Sequence, residues 1–110
     1  MATPLKFEYE GKEYTLEFNR EAIRVAERLG FEIDKFDSKV LSNTEDLFYL
    51  AFRMHHPEVK MDEAMKILYE GFGGLQNEEV KQLVELFAEP YSALINVEGN
   101  EKNVRRVTIR

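Results

Sequence analysis

"LKFEYEGKEYTLEF", residues 5–18, decides how this chain begins to fold. Leu5, Phe7 and Tyr9 alternate with polar residues, and Tyr14, Leu16 and Phe18 resume the alternation after Gly11. A period of two belongs to a strand with one buried face, and two such runs parted by Glu10-Gly11 make a hairpin. That loop sets Phe7 opposite Tyr14 and Leu5 opposite Leu16 on an apolar face. Lys6 then faces Thr15 and Glu8 faces Glu13 on the other side, where the two carboxylates repel each other and belong in water. A lone two-stranded hairpin is at best marginally stable, so this one must rest on helices.

The helices follow at once. Asn19 caps a helix expected over residues 20–29, with Ala22, Ile23, Ala26 and Leu29 inward and Gly30 as its stop. "FEIDKFDSKVL" (31–41) lacks helical punctuation, and its Phe31, Ile33, Phe36, Val40 and Leu41 read as a connection packed on the core. Ser42 and Glu45 have capping-box spacing, which starts a second helix near Asn43 and carries it over about 43–56. Leu47 to Phe52 is apolar all round, so that helix is central. A third helix is expected over about 62–71, with Met61, Ala64, Met65, Leu68 and Phe72 at helical spacing and Asp62 and Glu63 at the positive end of the dipole. Gly71, Gly73 and Gly74 end it. Asn77 caps the last helix, about 78–95, whose stripe is Val80, Leu83, Val84, Phe87, Tyr91, Leu94 and Ile95, with Pro90 bending or breaking it. The expected fold is α+β and mainly helical: an N-terminal β-hairpin packed on a bundle of about four helices, one globular domain over residues 1–95.

Composition agrees with one domain. The chain has 110 residues, 44% hydrophobic and 33% charged, with eight Phe and five Tyr to form a core. No apolar run approaches the roughly 20 residues of a membrane helix, and "MATPLKFEYE" lacks a signal-peptide layout, so a cytosolic protein is expected. Zero Cys removes disulfides, thiolate zinc sites and cysteine nucleophiles together. The formal charge is -6, unevenly spread: Glu98 and Glu101 against Lys102, Arg105, Arg106 and Arg110 leave residues 96–110 basic and the body acidic. An acidic body repels phosphate backbones, so nucleic-acid binding would rest on that short charged tail. Within the tail Val107 and Ile109 alternate with Arg106, Thr108 and Arg110, which leaves two readings: a disordered tail, or a third strand on an open hairpin edge.

No catalytic constellation emerges. His55 and His56 are neighbours, so on a helix their side chains diverge by about 100° and cannot chelate one ion unaided. Ahead of Pro57 they read as the last turn of the second helix, and replacing both with Gln is expected to leave folding nearly intact. The acid pairs Asp62/Glu63 and Glu78/Glu79 fall in helix first turns, where acids complement the dipole. "GFGGL" (71–75) follows a helix and lacks Gly-Lys-Ser/Thr, so it is a turn and not a phosphate cradle. No catalytic residue, metal site or cofactor is therefore expected. The informative anomaly is surplus apolar surface: Tyr49, Met54, Met61, Met65, Tyr69 and Phe72 exceed what a hairpin and three short helices can cover. Either the core packs them all, or some face a partner or a second copy.

The layout resembles a known family. "KFEYEGKEYTLEFNREAIRVAERLGFEID" (6–34), "LFYLAFRMHHPEVKMDEAMKILYE" (47–70) and "LVELFAEPYSAL" (83–94) are similar to the tail assembly chaperones of long-tailed bacteriophages and prophages. The marks are a hairpin feeding a capped helix that ends in Leu-Gly-Phe, an aromatic helix running into His-Pro, an acidic-start helix and a closing helix. The resemblance implies a non-enzymatic protein of the host cytoplasm, absent from the finished virion, that binds the tape measure protein, helps recruit tail tube protein and self-associates as a homo-oligomer. Binding would run through apolar side chains of helices two to four: Phe48, Phe52, Met54, Met65, Tyr69, Phe72, Phe87 and Tyr91. The competing reading is a small phage or prophage DNA-associated regulator using Arg105, Arg106 and Arg110; a small enzyme with an acid pair comes third.

Overall fold

In the computed structural model, which describes residues 3–94, β1 (Leu5–Tyr9) and β2 (Lys12–Leu16) pair antiparallel in the expected register, Phe7 opposite Tyr14 and Glu8 opposite Glu13. The two-residue loop has Glu10 at φ 50° and Gly11 at φ 80°. Both positive values make a type I′ turn, whose twist matches that of the strands and which only Gly adopts without cost. Leu16 and Tyr14 are buried, and the wet face stays exposed at Lys6, Glu8 and Glu13.

Asn19 caps α1 (Arg20–Arg28) as expected, its Oδ1 accepting the Ala22 amide at 2.8 Å. Ala22, Ile23 and Ala26 are buried, but Leu29 is exposed: the helix has already ended there, and the next residue to turn inward is Phe31. The following segment is a 3₁₀ stretch, Ile33–Lys39, kinked at Lys35 (φ -107°, ψ 18°), and α2 (Val40–Leu50) starts directly after Lys39, whose backbone is non-helical (φ -141°, ψ 71°). This corrects the expected start near Asn43. The carbonyl of Lys35 accepts both the Ser38 hydroxyl and the Asn43 side-chain amide, which holds the lead-in against the helix and moves the start upstream of Ser42. Ser42 and Glu45 thus lie inside α2 and form no capping box. Val40 and Leu41, expected against the core, stand exposed on the first turn.

The helix also ends earlier than expected, at Leu50, and residues 51–55 continue as turns, so the histidines lie beyond α2 and not in its last turn. α3 (Met61–Lys66) runs into a wider π-helical turn, Ile67–Gly71, in which the Phe72 amide donates to the Ile67 carbonyl five residues back. α4 (Asn77–Leu94) starts one residue before its expected range, with Asn77 its first residue and not its cap. Glu79 reaches back to the Gln76 amide at 2.8 Å, which is half of a capping box one position upstream. The helix is continuous through Pro90. The readings for the Phe36 and Leu94 side chains, for Ile95 and for residues 96–110 lie outside what is described.

Two aromatic groups make the core. Phe48 and Phe52 stand edge-to-face at 5.2 Å, with Phe72 against Phe48, and Phe7, stacked on Tyr14, closing them from the hairpin. Phe87 of α4 meets Phe18 and Phe31 at 5.0 and 5.1 Å. Edge-to-face contacts add about 0.5–1.5 kcal/mol each beyond area burial. The architecture is thus an N-terminal hairpin on four helices, α+β and mainly helical.

Candidate protein-binding surface

α2 and α3 pack against each other, and the side chains they leave outside form the candidate surface. On α2, Leu41 and Glu45 share a face at i, i+4 spacing, with Tyr49 half-buried one turn on. The Tyr69 hydroxyl, from the π-helical turn, donates to Glu45 Oε2 at 2.5 Å and so ties that turn to α2. That bond, with partial burial second, holds the Tyr69 phenol above its ordinary pKa. On α3, Met61 is exposed and Met65 half-buried at i, i+4. The exposed apolar members are Leu41 at 70%, Tyr69 at 49%, Met61 at 40% and Met54 at 37%. Asp46, next to Glu45, has its carboxyl pKa raised by burial and then by that neighbour's charge.

The eight residues expected to bind a client divide clearly. Phe48, Phe52 and Phe87 are core, at most 1% exposed, and no partner reaches them without unfolding the domain. Phe72, Met65 and Tyr91 are half-buried. Only Met54 and Tyr69 are open. Leu41 and Met61 belong to the surface but were not among the eight. The sequence puts Met61 in the third helix's stripe and among the surplus apolar residues, and Leu41 against the core; in the structure both are exposed.

Tyr91 stands apart on α4. Its hydroxyl donates to Glu27 Oε2 on α1 at 2.5 Å, and burial together with that bond pushes its pKa up to about 12. It walls off a crevice of about 450 Å³ shared with Phe31, Glu32, Ile33 and Asp34 from a smaller one of about 170 Å³ beside Pro90 and Arg24.

The histidine corner is not simple punctuation. The turn after α2 takes up two amides at the end of the hairpin: the Thr15 amide of β2 donates to His56 Nε2 at 3.0 Å, and the Glu17 amide, just past β2, to the Ala51 carbonyl at 3.1 Å. His56 also stacks near Tyr14, 5.1 Å between centroids. His55 Nε2 lies 2.9 Å from Glu17 Oε1. Accepting an amide requires an unprotonated Nε2, and burial lowers the His56 pKa, with Glu58 opposing and Lys12 and His55 assisting. His56 Nε2 thus holds β2, and His55 Nε2 meets the side chain of Glu17 just past it. Among the described residues no group of three or more His, Cys, Asp or Glu is placed to hold a metal ion.

No described helix is long and apolar enough to cross a membrane. Comparison with curated proteins and with solved structures finds no match. Residues 1–109 match the family model described as a domain of unknown function, DUF5055, and the chain belongs to that family.

Proposed function

We propose that this protein is a binding module without chemistry of its own, acting as a tail assembly chaperone of a long-tailed bacteriophage or prophage. Its client is the tape measure protein, a long helix, and its seat is the α2–α3 face. The observation that carries this reading is the open apolar set Leu41 on α2, Met54 in the turn after it, Met61 on α3 and Tyr69 in the π-helical turn that follows. A side-by-side pair of helices with exposed Met and Leu suits an amphipathic helix, because flexible thioethers repack against varied partners. The sequence resemblance suggests this client, and the exposed apolar side chains support a binding role.

Co-expression with a tape measure protein of the same genome tests the reading. The two are expected to co-purify, and Leu41→Glu with Met61→Glu is expected to abolish co-purification while leaving the circular dichroism spectrum unchanged. A wild-type protein that ignores this client, or a double variant that retains it fully, contradicts the proposal.

A further inference from the structure

The exposed apolar set stands among negative charge. α2 carries two carboxylates, Glu45 and Asp46, and no cation. The stretch from Met61 to Gly71, which forms α3 and the π-helical turn, carries three, Asp62, Glu63 and Glu70, against the single cation Lys66. None of these five acids is in an ion pair among the described residues, whereas Lys66 reaches Glu10 of the hairpin loop at 4.0 Å. The neighbouring cations stand at the ends of the elements: Lys39 and Lys60 precede the two helices by one residue, and Arg53 lies in the turn after α2.

Two features suit these acids to a cation brought by a partner. The Tyr69 ring is exposed while its hydroxyl is bonded to Glu45 at 2.5 Å, so an aromatic face and a carboxylate are held at one place. An ammonium or guanidinium group gains from both, through the ring quadrupole and through direct charge pairing. Glu45 keeps lone pairs for that purpose after accepting the tyrosine. Asp46, half-buried next to it, has a carboxyl with no hydrogen bond or ion pair among the described residues. Burial and the charge of Glu45 raise its pKa, and an arriving cation offsets both effects. A second copy of the chain fits poorly, because it would set one acidic surface against another in a protein of net charge -6.

We infer that the occupant of the α2–α3 face is a basic amphipathic helix, with an apolar stripe on Leu41, Met61 and Tyr69 and lysine or arginine along its flanks meeting Glu45, Asp46 and the acids of α3. This rests on the proposed binding role of that face and adds the charge class of the client. The apolar stripe holds the helix in place, and the flanking charges choose it over other helices and speed its approach.

Fluorescence anisotropy on the full chain tests this with three synthetic helical peptides of about 20 residues. The first has a leucine stripe flanked by lysine, the second the same stripe flanked by glutamate, and the third the lysine flanks with serine in place of leucine. The first is expected to bind at least about tenfold more tightly than either of the others, and to weaken as salt rises from about 0.05 to about 0.5 M. Glu63→Lys with Glu70→Lys changes two exposed side chains that make no hydrogen bond or ion pair among the described residues. That variant is expected to keep its circular dichroism spectrum and to reduce the preference for lysine over glutamate flanks at least about threefold. Equal affinity for the first two peptides, or binding of neither, overturns the inference. Equal affinity for the first and third overturns it too, since the attraction is then charge alone. Self-association that the first peptide does not displace assigns the face to a second copy and overturns it equally. The tape measure protein separates this inference from the proposed function. Co-purification that ignores both salt and the charge variant overturns the basic client and leaves the chaperone reading standing. A lysine-flanked peptide that binds where the tape measure protein does not supports the basic client and contradicts the chaperone reading.

Discussion

Replacing His56 with Ala removes the acceptor that the Thr15 amide uses at 3.0 Å, on a strand edge that has no other closure at that residue. A hydrogen bond of this kind contributes about 1 kcal/mol, and leaving its donor half-buried and unpaired moves the cost toward the upper part of the 1–3 kcal/mol range. The variant also loses the ring contacts with Tyr14 and Phe52, at 5.1 and 6.4 Å. Together the loss is about 2 kcal/mol, read as a shift of the urea midpoint at unchanged slope at pH 7.5. His55→Ala removes a partly exposed contact with Glu17 and should cost under about 0.5 kcal/mol. Acid adds a second signature. Because the folded pKa of His56 lies below its ordinary value of 6.5, the unfolded chain binds more protons between the two values. The stabilisation from neutral His56 is therefore fully present above about pH 6.5 and is lost as pH falls through the lower folded value, so wild type and His56→Ala should converge on acidification. Equal costs for the two histidines, or a difference that stays constant from pH 7.5 to 5, would refute the assignment of His56 as the clasp of β2.

Three further outcomes follow from single contacts. Glu10→Asn should raise stability by about 0.5–1 kcal/mol by chemical denaturation, since Glu10 sits at φ 50° in a type I′ turn where Asn is favoured. Gly71→Ala should destabilise by about 1–2 kcal/mol, because the added carbon would stand 2.8 Å from the Tyr9 ring, and Tyr9→Ala in the same background should recover part of the loss. Phe48→Ala should cost about 3–5 kcal/mol in the same assay, since its ring is fully enclosed between Phe52 and Phe72.

The hairpin was legible down to its register because alternation, a Gly-containing loop and one buried face leave a single pairing that keeps Leu5, Phe7, Tyr14 and Leu16 together. The Asn19 cap was legible for a similar reason: donor and acceptor lie three residues apart. The start of α2 was not. Ser42-x-x-Glu45 satisfies a local rule, but the helix starts two residues earlier, at Val40 after the non-helical Lys39, and the carbonyl of Lys35 takes up the Ser38 and Asn43 side chains. The role of His56 was hidden because its partner lies 41 residues earlier in the chain, and no local spacing encodes that bond. The surface was half legible. Apolar surplus on the second and third helices was evident, yet residue type does not separate Phe52 from Tyr69; burial does, since the turn after α2 encloses Phe52 and a hydroxyl anchors the exposed Tyr69 to Glu45.

Titration calorimetry with a purified tape measure segment tests whether the α2–α3 face binds a helical client, as proposed. Leu41→Glu with Met61→Glu should weaken the Kd at least about tenfold, the loss of one modest apolar hot spot, with the unfolding midpoint unchanged. A Kd equal to that of the wild type, or no measurable heat with either protein, would contradict the account.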